Sequence, residues 1–173
     1  MKIHPNIQNI LVFSALFSLI LPCKGFSREV EPSPYSIQKG VPSTIQSPQA
    51  ISDWLSREFT YRLELPDRWQ APSETLSSKM GDCEDFALLG ADLLRRIGIE
   101  SDIAIVKFRD LNVSHAICIW KNSEGSFDFM DDRRLRRTGE KRIEDAVGRY
   151  YPDWEKIVFV DSRKRTKRTI RRK

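Results

Sequence analysis

The stretch from Gly81 to Gly98 constrains the fold more than any other, because it predicts a helix with a wide apolar face. Its small and apolar residues recur at helical spacing. They are Phe86, Ala87, Leu89, Gly90, Leu93, Leu94 and Ile97. Asp82 suits the N-cap, and Gly98 suits the position just beyond the C-terminal end. A largely buried central helix from about Asp82 to Ile97 is therefore expected.

This helix begins at a cysteine, Cys83, which lies among the carboxylates of Asp82, Glu84 and Asp85. In the first turn of a helix, free backbone N–H groups and the helix dipole lower the pKa of a thiol and favour the nucleophilic thiolate. The acidic neighbours work against the thiolate. Free cysteines are usually buried and inert, so a small hydrophobic residue at a capped helix start is the alternative interpretation.

The N-terminal residues predict export. Residues 10–21 form a mostly apolar run that is too short to span a bilayer comfortably and suits a signal peptide. Small residues at Gly25 and Ser27 predict cleavage there, so residues 1–27 are expected to be a signal peptide of a periplasmic or secreted protein. Lipid modification of Cys23 is less favoured because Pro22 fits poorly before such a cysteine. An uncleaved anchor is the remaining alternative.

Composition divides the rest of the chain into three parts. Residues 28–47 contain three prolines and predict an extended linker or a strap over the domain. Residues 48–161 predict one α+β domain. Residues 162–173 are rich in Lys and Arg and predict a disordered basic tail. The formal charge of +5 is concentrated there, which argues against a nucleic-acid-binding domain face and leaves contact with an anionic surface open.

The domain itself begins with a helix after Ser47, followed by a change from helical to strand periodicity. The first helix has an apolar face formed by Ile51, Trp54, Leu55, Phe59 and Leu63. Residues 67–79 are expected to be a loop. After Ile99, the alternation predicts an antiparallel meander. Its strands are expected at 103–108, 114–120 and 126–130, followed by a short helix within 140–151 and a last strand at 157–160.

Three features of the domain suggest thiol chemistry. Apart from His4, the chain has one histidine, His115, and it lies at the start of a predicted strand. Carboxylates follow at the end of the next strand, at Asp128, Asp131 and Asp132. A nucleophilic thiol needs an imidazole and an acceptor that orients the imidazole. Because strand side chains alternate, Cys118 is expected to point away from the face of His115 and to be a structural cysteine.

The motifs WQAPSETL (69–76), GDCEDFA (81–87), SHA (114–116) and GSFDFMDD (125–132) are similar to those of the transglutaminase-like superfamily, especially its bacterial cysteine proteinases. The resemblance implies a papain-like α+β fold in which a central Cys-bearing helix packs on an antiparallel sheet. It also implies a catalytic triad of Cys83, His115 and an aspartate. Asp131 matches best, with Asp132 and Asp128 as alternatives. Trp69 matches an aromatic residue near the site.

Some members of this proteinase group bind calcium through acidic residues that flank the cysteine, and Asp82 and Glu84 match those positions. Two carboxylates alone are an incomplete calcium site, and helix capping is the favoured local role. The sequence thus predicts a monomeric thiol hydrolase that acts on a protein or peptide, with no required cofactor and calcium as an option. Acyl transfer to an amine and a non-catalytic envelope-binding module remain alternatives.

Overall fold

A computed structural model describes residues 40–64, 66–109 and 113–172 of the protein. Its helices pack on a six-stranded antiparallel sheet. The helices are α1 (Pro48–Glu58), α2 (Pro72–Ser78), α3 (Cys83–Arg96) and α4 (Ile143–Tyr150). The large sheet contains β3 (Asp102–Phe108), β4 (Ser114–Lys121), β5 (Phe127–Asp131), β6 (Arg134–Arg137), β7 (Trp154–Val160) and β8 (Thr166–Arg171). Its order is β6-β5-β4-β3-β7-β8. Two short strands, β1 (Thr60–Tyr61) and β2 (Met80–Gly81), pair in parallel beside it. The predicted α+β class is confirmed.

Helix α3 is the central helix that the sequence predicted. Its apolar side chains pack on the face of the sheet that carries Ala116, Cys118 and Met130. A Cβ atom placed at Gly90 would lie 3.6 Å from the Cβ atom of Cys118, so the helix approaches β4 closely at this glycine. Burial of each such large apolar side chain contributes about 1.5–3 kcal/mol, which makes α3 the main anchor of this layer.

Helix α4 covers the opposite face of the sheet. Its Val147 is buried with Ile117, Phe129 and Ile157, so alternate residues of β4 face two different helical layers. Cys118 is fully buried on the α3 side, and it is a free thiol like Cys83. The predicted alternation along β4 is therefore confirmed.

Two local predictions in the first half of the domain are wrong. Residues 67–79 are not all loop, because α2 begins at Pro72, whose fixed backbone angle suits a first helical position. The Ala71 N–H donates to the Glu74 carboxylate at 2.8 Å and closes the start of that helix. Leu63 does not extend the apolar face of α1, because the helix ends at Glu58 and Leu63 is 66% exposed.

The prediction of a disordered tail over residues 162–173 is also wrong, and so is the domain boundary at residue 161. Residues 166–171 form β8, which pairs with β7 at the edge of the large sheet. The basic side chains have specific neighbours there: Lys167 forms an ion pair with Asp102, and the Arg168 guanidinium lies 4.0 Å from the centre of the Phe159 ring. Strand β6 was missed as well, because its four residues are mainly Arg.

The predicted signal peptide and most of the predicted linker lie outside the described residues. The described end of that linker behaves as a strap, since Ile45 is 6% exposed and packs with the α1 and α3 core. Within residues 40–64, 66–109 and 113–172, no helix combines the length and apolar character that a membrane crossing requires.

Candidate active site

The first turn of α3 is fixed by a close approach between β2 and the helix. Gly81 ends β2, and a Cβ atom at this position would lie 2.7 Å from the Cβ atom of Asp85. Glycine is therefore required where the chain turns from β2 into the helix. Asp82 occupies the N-cap, as predicted, and Cys83 is the first helical residue.

The carboxylate of Asp85 joins this helix start to the loop that carries Trp69. It is fully buried and accepts hydrogen bonds from the backbone N–H of Gln70 at 2.7 Å, from the Gln70 side-chain amide at 3.0 Å and from the Asp82 N–H at 3.2 Å. Burial raises the pKa of Asp85 to about 6, although these N–H groups act in the opposite direction. Sequence reasoning placed Asp85 only at the helix end and missed its contacts with the loop.

The Cys83 thiol lies in a half-buried, acidic environment. Its Sγ donates a hydrogen bond to Glu84 Oε2 at 2.9 Å. Burial, followed by this hydrogen bond, raises the pKa of the thiol above its usual range, while the backbone N–H of Ala116 lowers it. Desolvation and the acidic neighbour therefore favour the protonated thiol in this arrangement.

His115 and Asp131 contact each other across β4 and β5. His115 Nε2 lies 2.9 Å from Asp131 Oδ1, and the two side chains are 19% and 16% exposed. Burial alone would raise the pKa of Asp131, but hydrogen bonds with His115 and Arg136 lower it to about 2. Of the three carboxylates that the sequence left open, Asp131 is the one that bonds His115.

The other two carboxylates have different environments. Asp128 accepts hydrogen bonds from the Asn122 side chain at 3.0 Å and from the Thr138 N–H at 3.2 Å, so it holds the segments around β5. Asp132 adopts a left-handed backbone conformation with φ of +50°, and its Oδ1 is buried without a hydrogen-bond partner. Burial raises the pKa of Asp132. One oxygen of Asp132 nevertheless lies within 4.8 Å of the His115–Asp131 pair.

The Cys83 thiol contacts the backbone of β4 at the residue that follows His115. Ala116, whose N–H interacts with the Cys83 sulfur, directly follows His115. Because Nε2 of His115 is taken by Asp131, Nδ1 is the ring nitrogen left for the thiol. Among the described residues, no hydrogen bond joins the two groups, since the thiol donates to Glu84 instead.

Two residues around the His115–Asp131 pair were missed by sequence reasoning. Arg136 Nε donates a hydrogen bond to Asp131 Oδ2 at 2.9 Å, and Nη2 forms an ion pair with the same oxygen at 2.7 Å. The Tyr151 ring lies 5.5 Å from the His115 ring, between centroids, and packs on the same side of the sheet. The sequence showed a cluster of arginines after Asp132, but only the pairing of β6 with β5 brings one particular arginine to the carboxylate.

Three carboxylates beside Cys83 form a candidate cation site. Asp67, Asp82 and Glu84 each offer an oxygen atom within 4.8 Å of the other two. Asp82 is 2% exposed, and its Oδ1 is buried without a hydrogen-bond partner. Burial and the proximity of Asp67 raise the pKa of Glu84 to about 7. Oxygen atoms of this kind suit a hard divalent cation, and Asp67 is the member of this cluster that the sequence did not predict.

Trp69 packs against the core around α3. Its ring is half-buried, and the ammonium group of Lys164 lies 4.7 Å from the ring centre. The adjacent Gln70 bonds the Asp85 carboxylate in the first turn of α3 and so joins this loop to the helix start.

Comparison with known proteins identifies the family. A sequence model of the transglutaminase-like superfamily matches residues 34–124, more than half of the chain. Among solved structures, the chain is similar to LapG of Legionella pneumophila, with a TM-score of 0.50, 20% identity, and coverage of 72% of this chain and 68% of LapG. The calcium-bound form of LapG gives the same values. No curated protein sequence matches the chain.

A third solved structure covers less of the fold. It is a protein from Cytophaga hutchinsonii, provisionally described as a cysteine protease, with 27% identity over 51% of this chain and a TM-score of 0.43. The chain spans 31% of the length of that protein. The extent of the sequence-model match, which covers more than half of the chain, shows that the chain belongs to the transglutaminase-like superfamily.

Proposed function

We propose that this protein is an exported thiol hydrolase that cleaves peptide or amide bonds of a protein substrate through an acyl-enzyme. Cys83 is the nucleophile, His115 is the general base and acid, and Asp131 orients the imidazole. The observation that carries the proposal is the hydrogen bond between His115 on β4 and Asp131 on β5. Ala116, the residue that follows His115, contacts the sulfur of Cys83.

The reaction begins when His115 Nδ1 accepts the proton of the Cys83 thiol and the sulfur attacks the carbonyl carbon of the scissile bond. The carbon–nitrogen bond then breaks, the amine leaves with the proton from His115, and a thioester remains on Cys83. Water attacks the thioester carbonyl while His115 takes a proton from it. The carbon–sulfur bond then breaks, the carboxylic acid leaves, and His115 returns its proton to the Cys83 sulfur. Asp131 keeps the proton of neutral His115 on Nε2 and stabilises the imidazolium.

The start of α3 also provides a donor for the tetrahedral intermediate. The first backbone N–H groups of a helix have no partner within the helix. The N–H of Cys83, the first residue of α3, is therefore our candidate oxyanion donor. It lies at the positive end of the helix dipole, which favours the negative charge that develops there.

We also propose that Asp67, Asp82 and Glu84 hold a calcium ion, with the remaining oxygen ligands supplied by water or backbone. A bound divalent cation would place positive charge beside Cys83 and neutralise carboxylates that oppose the thiolate. In this proposal, Asp82 contributes the buried oxygen that has no other hydrogen-bond partner. The calcium-bound form of LapG gives this proposal a precedent in a protein of similar fold.

One observation favours a second candidate function, a non-catalytic binding module. The thiol donates to Glu84, and its pKa is raised, so the protonated, unreactive form is favoured in this arrangement. The pH dependence of Cys83 alkylation by iodoacetamide, measured with calcium and with EGTA, separates the two. Alkylation near neutral pH supports the hydrolase, whereas alkylation only at strongly alkaline pH under both conditions supports the binding module.

The proposed function is tested by incubating the wild-type protein, Cys83→Ala and His115→Ala with p-nitrophenyl acetate in the presence of calcium. Wild type is expected to release p-nitrophenolate, and both variants are expected to lose the catalysed release. Equal release by the wild type and Cys83→Ala would contradict the proposal. Adding a labelled primary amine distinguishes hydrolysis from acyl transfer, because an acyl transferase would consume the acyl-enzyme as a labelled amide.

A further inference from the structure

The carboxylate of Asp131 is held at both of its oxygens, and only one of them faces the histidine. Oδ1 lies 2.9 Å from His115 Nε2. Oδ2 accepts a hydrogen bond from Arg136 Nε at 2.9 Å and forms an ion pair with Nη2 of the same guanidinium at 2.7 Å. Hydrogen bonds between a guanidinium and a carboxylate are among the stronger ones in proteins, and their geometry is specific.

Arg136 is itself fixed in position by its neighbours. It lies on β6, opposite Phe129 of β5, in a register that also places Arg134 opposite Asp131. The guanidinium lies 5.3 Å from the centre of the Tyr150 ring, a distance at which a cation is attracted to an aromatic face. Its side chain is 31% exposed. The donors that reach Asp131 therefore come from a packed side chain on the neighbouring strand.

The contacts with Arg136 restrict rotation of the Asp131 carboxylate about its terminal torsion, and the proposed chemistry depends on that orientation. The terminal torsion of an aspartate is broad, so a carboxylate with a single hydrogen bond can turn its oxygens away from an ideal position. The Nε hydrogen bond and the Nη2 ion pair at Oδ2 fix the plane of the carboxylate. Oδ1 then stays directed at His115 Nε2, which keeps the proton of the neutral imidazole there and leaves Nδ1 as the acceptor for the thiol.

We propose that Arg136 is a positioning residue of the hydrolase, which holds the Asp131 carboxylate so that His115 keeps the tautomer able to accept a proton from Cys83. This inference rests on the proposed function. It differs from a purely structural ion pair between β5 and β6, because a structural pair would affect stability alone. Arg134 offers a matched control, since it lies two residues away on the same strand and is exposed.

The test compares wild type with Arg136→Gln, Arg136→Lys and Arg134→Gln as purified full-length proteins. Two quantities are measured: the ¹⁵N chemical shifts of the His115 ring when the imidazole is neutral, and the rate at which p-nitrophenyl acetate acylates Cys83. In Arg136→Gln, we expect a mixture of the two tautomers and an acylation rate about tenfold lower. Arg136→Lys keeps the charge and places its N–H donors on a single nitrogen, so it should restore most of the rate, and Arg134→Gln should match the wild type.

The inference is overturned if Arg136→Gln keeps the wild-type tautomer and an acylation rate within twofold of wild type, even when its melting temperature falls. Arg136→Met keeps the stem of the side chain over Tyr150 and removes the donors. It provides a second variant if the glutamine variant fails to fold, with the same expected and contradicting results. If wild-type Cys83 is not acylated at all, the proposed function fails, whereas the tautomer measurement still tests whether Arg136 orients the pair.

Discussion

Replacing Asp131 by asparagine should place the proton of His115 on the wrong ring nitrogen. Asparagine has the shape of aspartate but offers one oxygen and one NH₂ group. In the first orientation, the oxygen faces Arg136 and the NH₂ group donates to His115 Nε2, so the imidazole proton moves to Nδ1. Nδ1 can then no longer accept the proton of Cys83. In the second orientation, the correct tautomer is kept, but the NH₂ group faces the two donors of Arg136.

The contacts of Arg136 indicate how strongly the first orientation is favoured. The second orientation gives up the hydrogen bond that Oδ2 accepts from Arg136 Nε at 2.9 Å. A hydrogen bond to a charged group contributes about 1.5–3 kcal/mol, so this bond favours the unproductive orientation by about that amount. Since 1.4 kcal/mol corresponds to a factor of ten, between about one molecule in ten and one in a hundred keeps the productive tautomer. We therefore expect Cys83 acylation to slow by about 10- to 10²-fold, in the direction of the roughly 10⁴-fold loss known for this change in a serine-protease triad.

The measurement combines the acylation rate with p-nitrophenyl acetate and the ¹⁵N shifts of the His115 ring in Asp131→Asn. Asp128→Asn is the matched control, because Asp128 lies on the same strand and bonds Asn122 and Thr138 instead of His115. The control should lose some stability and keep an acylation rate close to that of wild type. An acylation rate in Asp131→Asn within fivefold of wild type, or a proton still on Nε2, would refute the reasoning.

Four further outcomes are expected. The Asp131 pKa is lowered from its ordinary value of 3.8 to about 2, so this carboxylate contributes stability above about pH 4 that is lost as the pH falls towards 2; urea unfolding at pH 5 and pH 3 should show a larger loss in wild type than in Asp131→Asn. Calcium at 100 times its Kd should stabilise the wild-type fold by about 2.7 kcal/mol and therefore raise its melting temperature, and it should not raise the melting temperature of Asp82→Asn. Gly81→Ala should lower the melting temperature, because the new Cβ atom would lie 2.7 Å from that of Asp85; an unchanged melting curve would contradict the proposed close approach. Truncation after residue 161 should destabilise the domain by removing β8, as measured by circular dichroism, and an unaltered melting temperature would mean that the β7–β8 pairing contributes nothing.

Local sequence patterns were sufficient for the elements that depend on periodicity and capping. Helix α3 has an N-cap aspartate, a broad apolar face and a glycine after its end, and it lies within a residue of the predicted bounds. The alternation of β4 placed His115 and Cys118 on different faces because side chains in a strand alternate strictly. These features are encoded within a few residues of each other, so no tertiary information is needed to read them.

The missed features depend on contacts between distant segments. Composition alone suggested that residues 162–173 are disordered, but the acidic and aromatic partners of β8 come from β3 and β7. Asp67 joins the candidate cation site only because the loop before α2 folds back on the start of α3. Likewise, four arginines follow Asp132, and the strand register selects Arg136 as the one that bonds Asp131.

The raised pKa of the Cys83 thiol has the same origin. The sequence predicted that the acidic neighbours of Cys83 oppose the thiolate, but the effect of burial and the orientation of the Glu84 side chain depend on three-dimensional packing. A glutamate adjacent to the cysteine could have pointed to solvent. In the folded protein, Glu84 Oε2 accepts a hydrogen bond from the thiol, with the sulfur 2.9 Å away, and this bond favours the protonated thiol.

The most direct test of the account is mass spectrometry of the protein after brief exposure to p-nitrophenyl acetate with calcium. We predict a single acyl adduct on the peptide that contains Cys83, which disappears with time as water hydrolyses the thioester. The adduct should be absent from Cys83→Ala and should form much more slowly in His115→Ala, while the fully buried Cys118 stays unmodified. Acylation of Cys83 at the same rate in His115→Ala and wild type would contradict the proposed catalytic role of the His115–Asp131 pair.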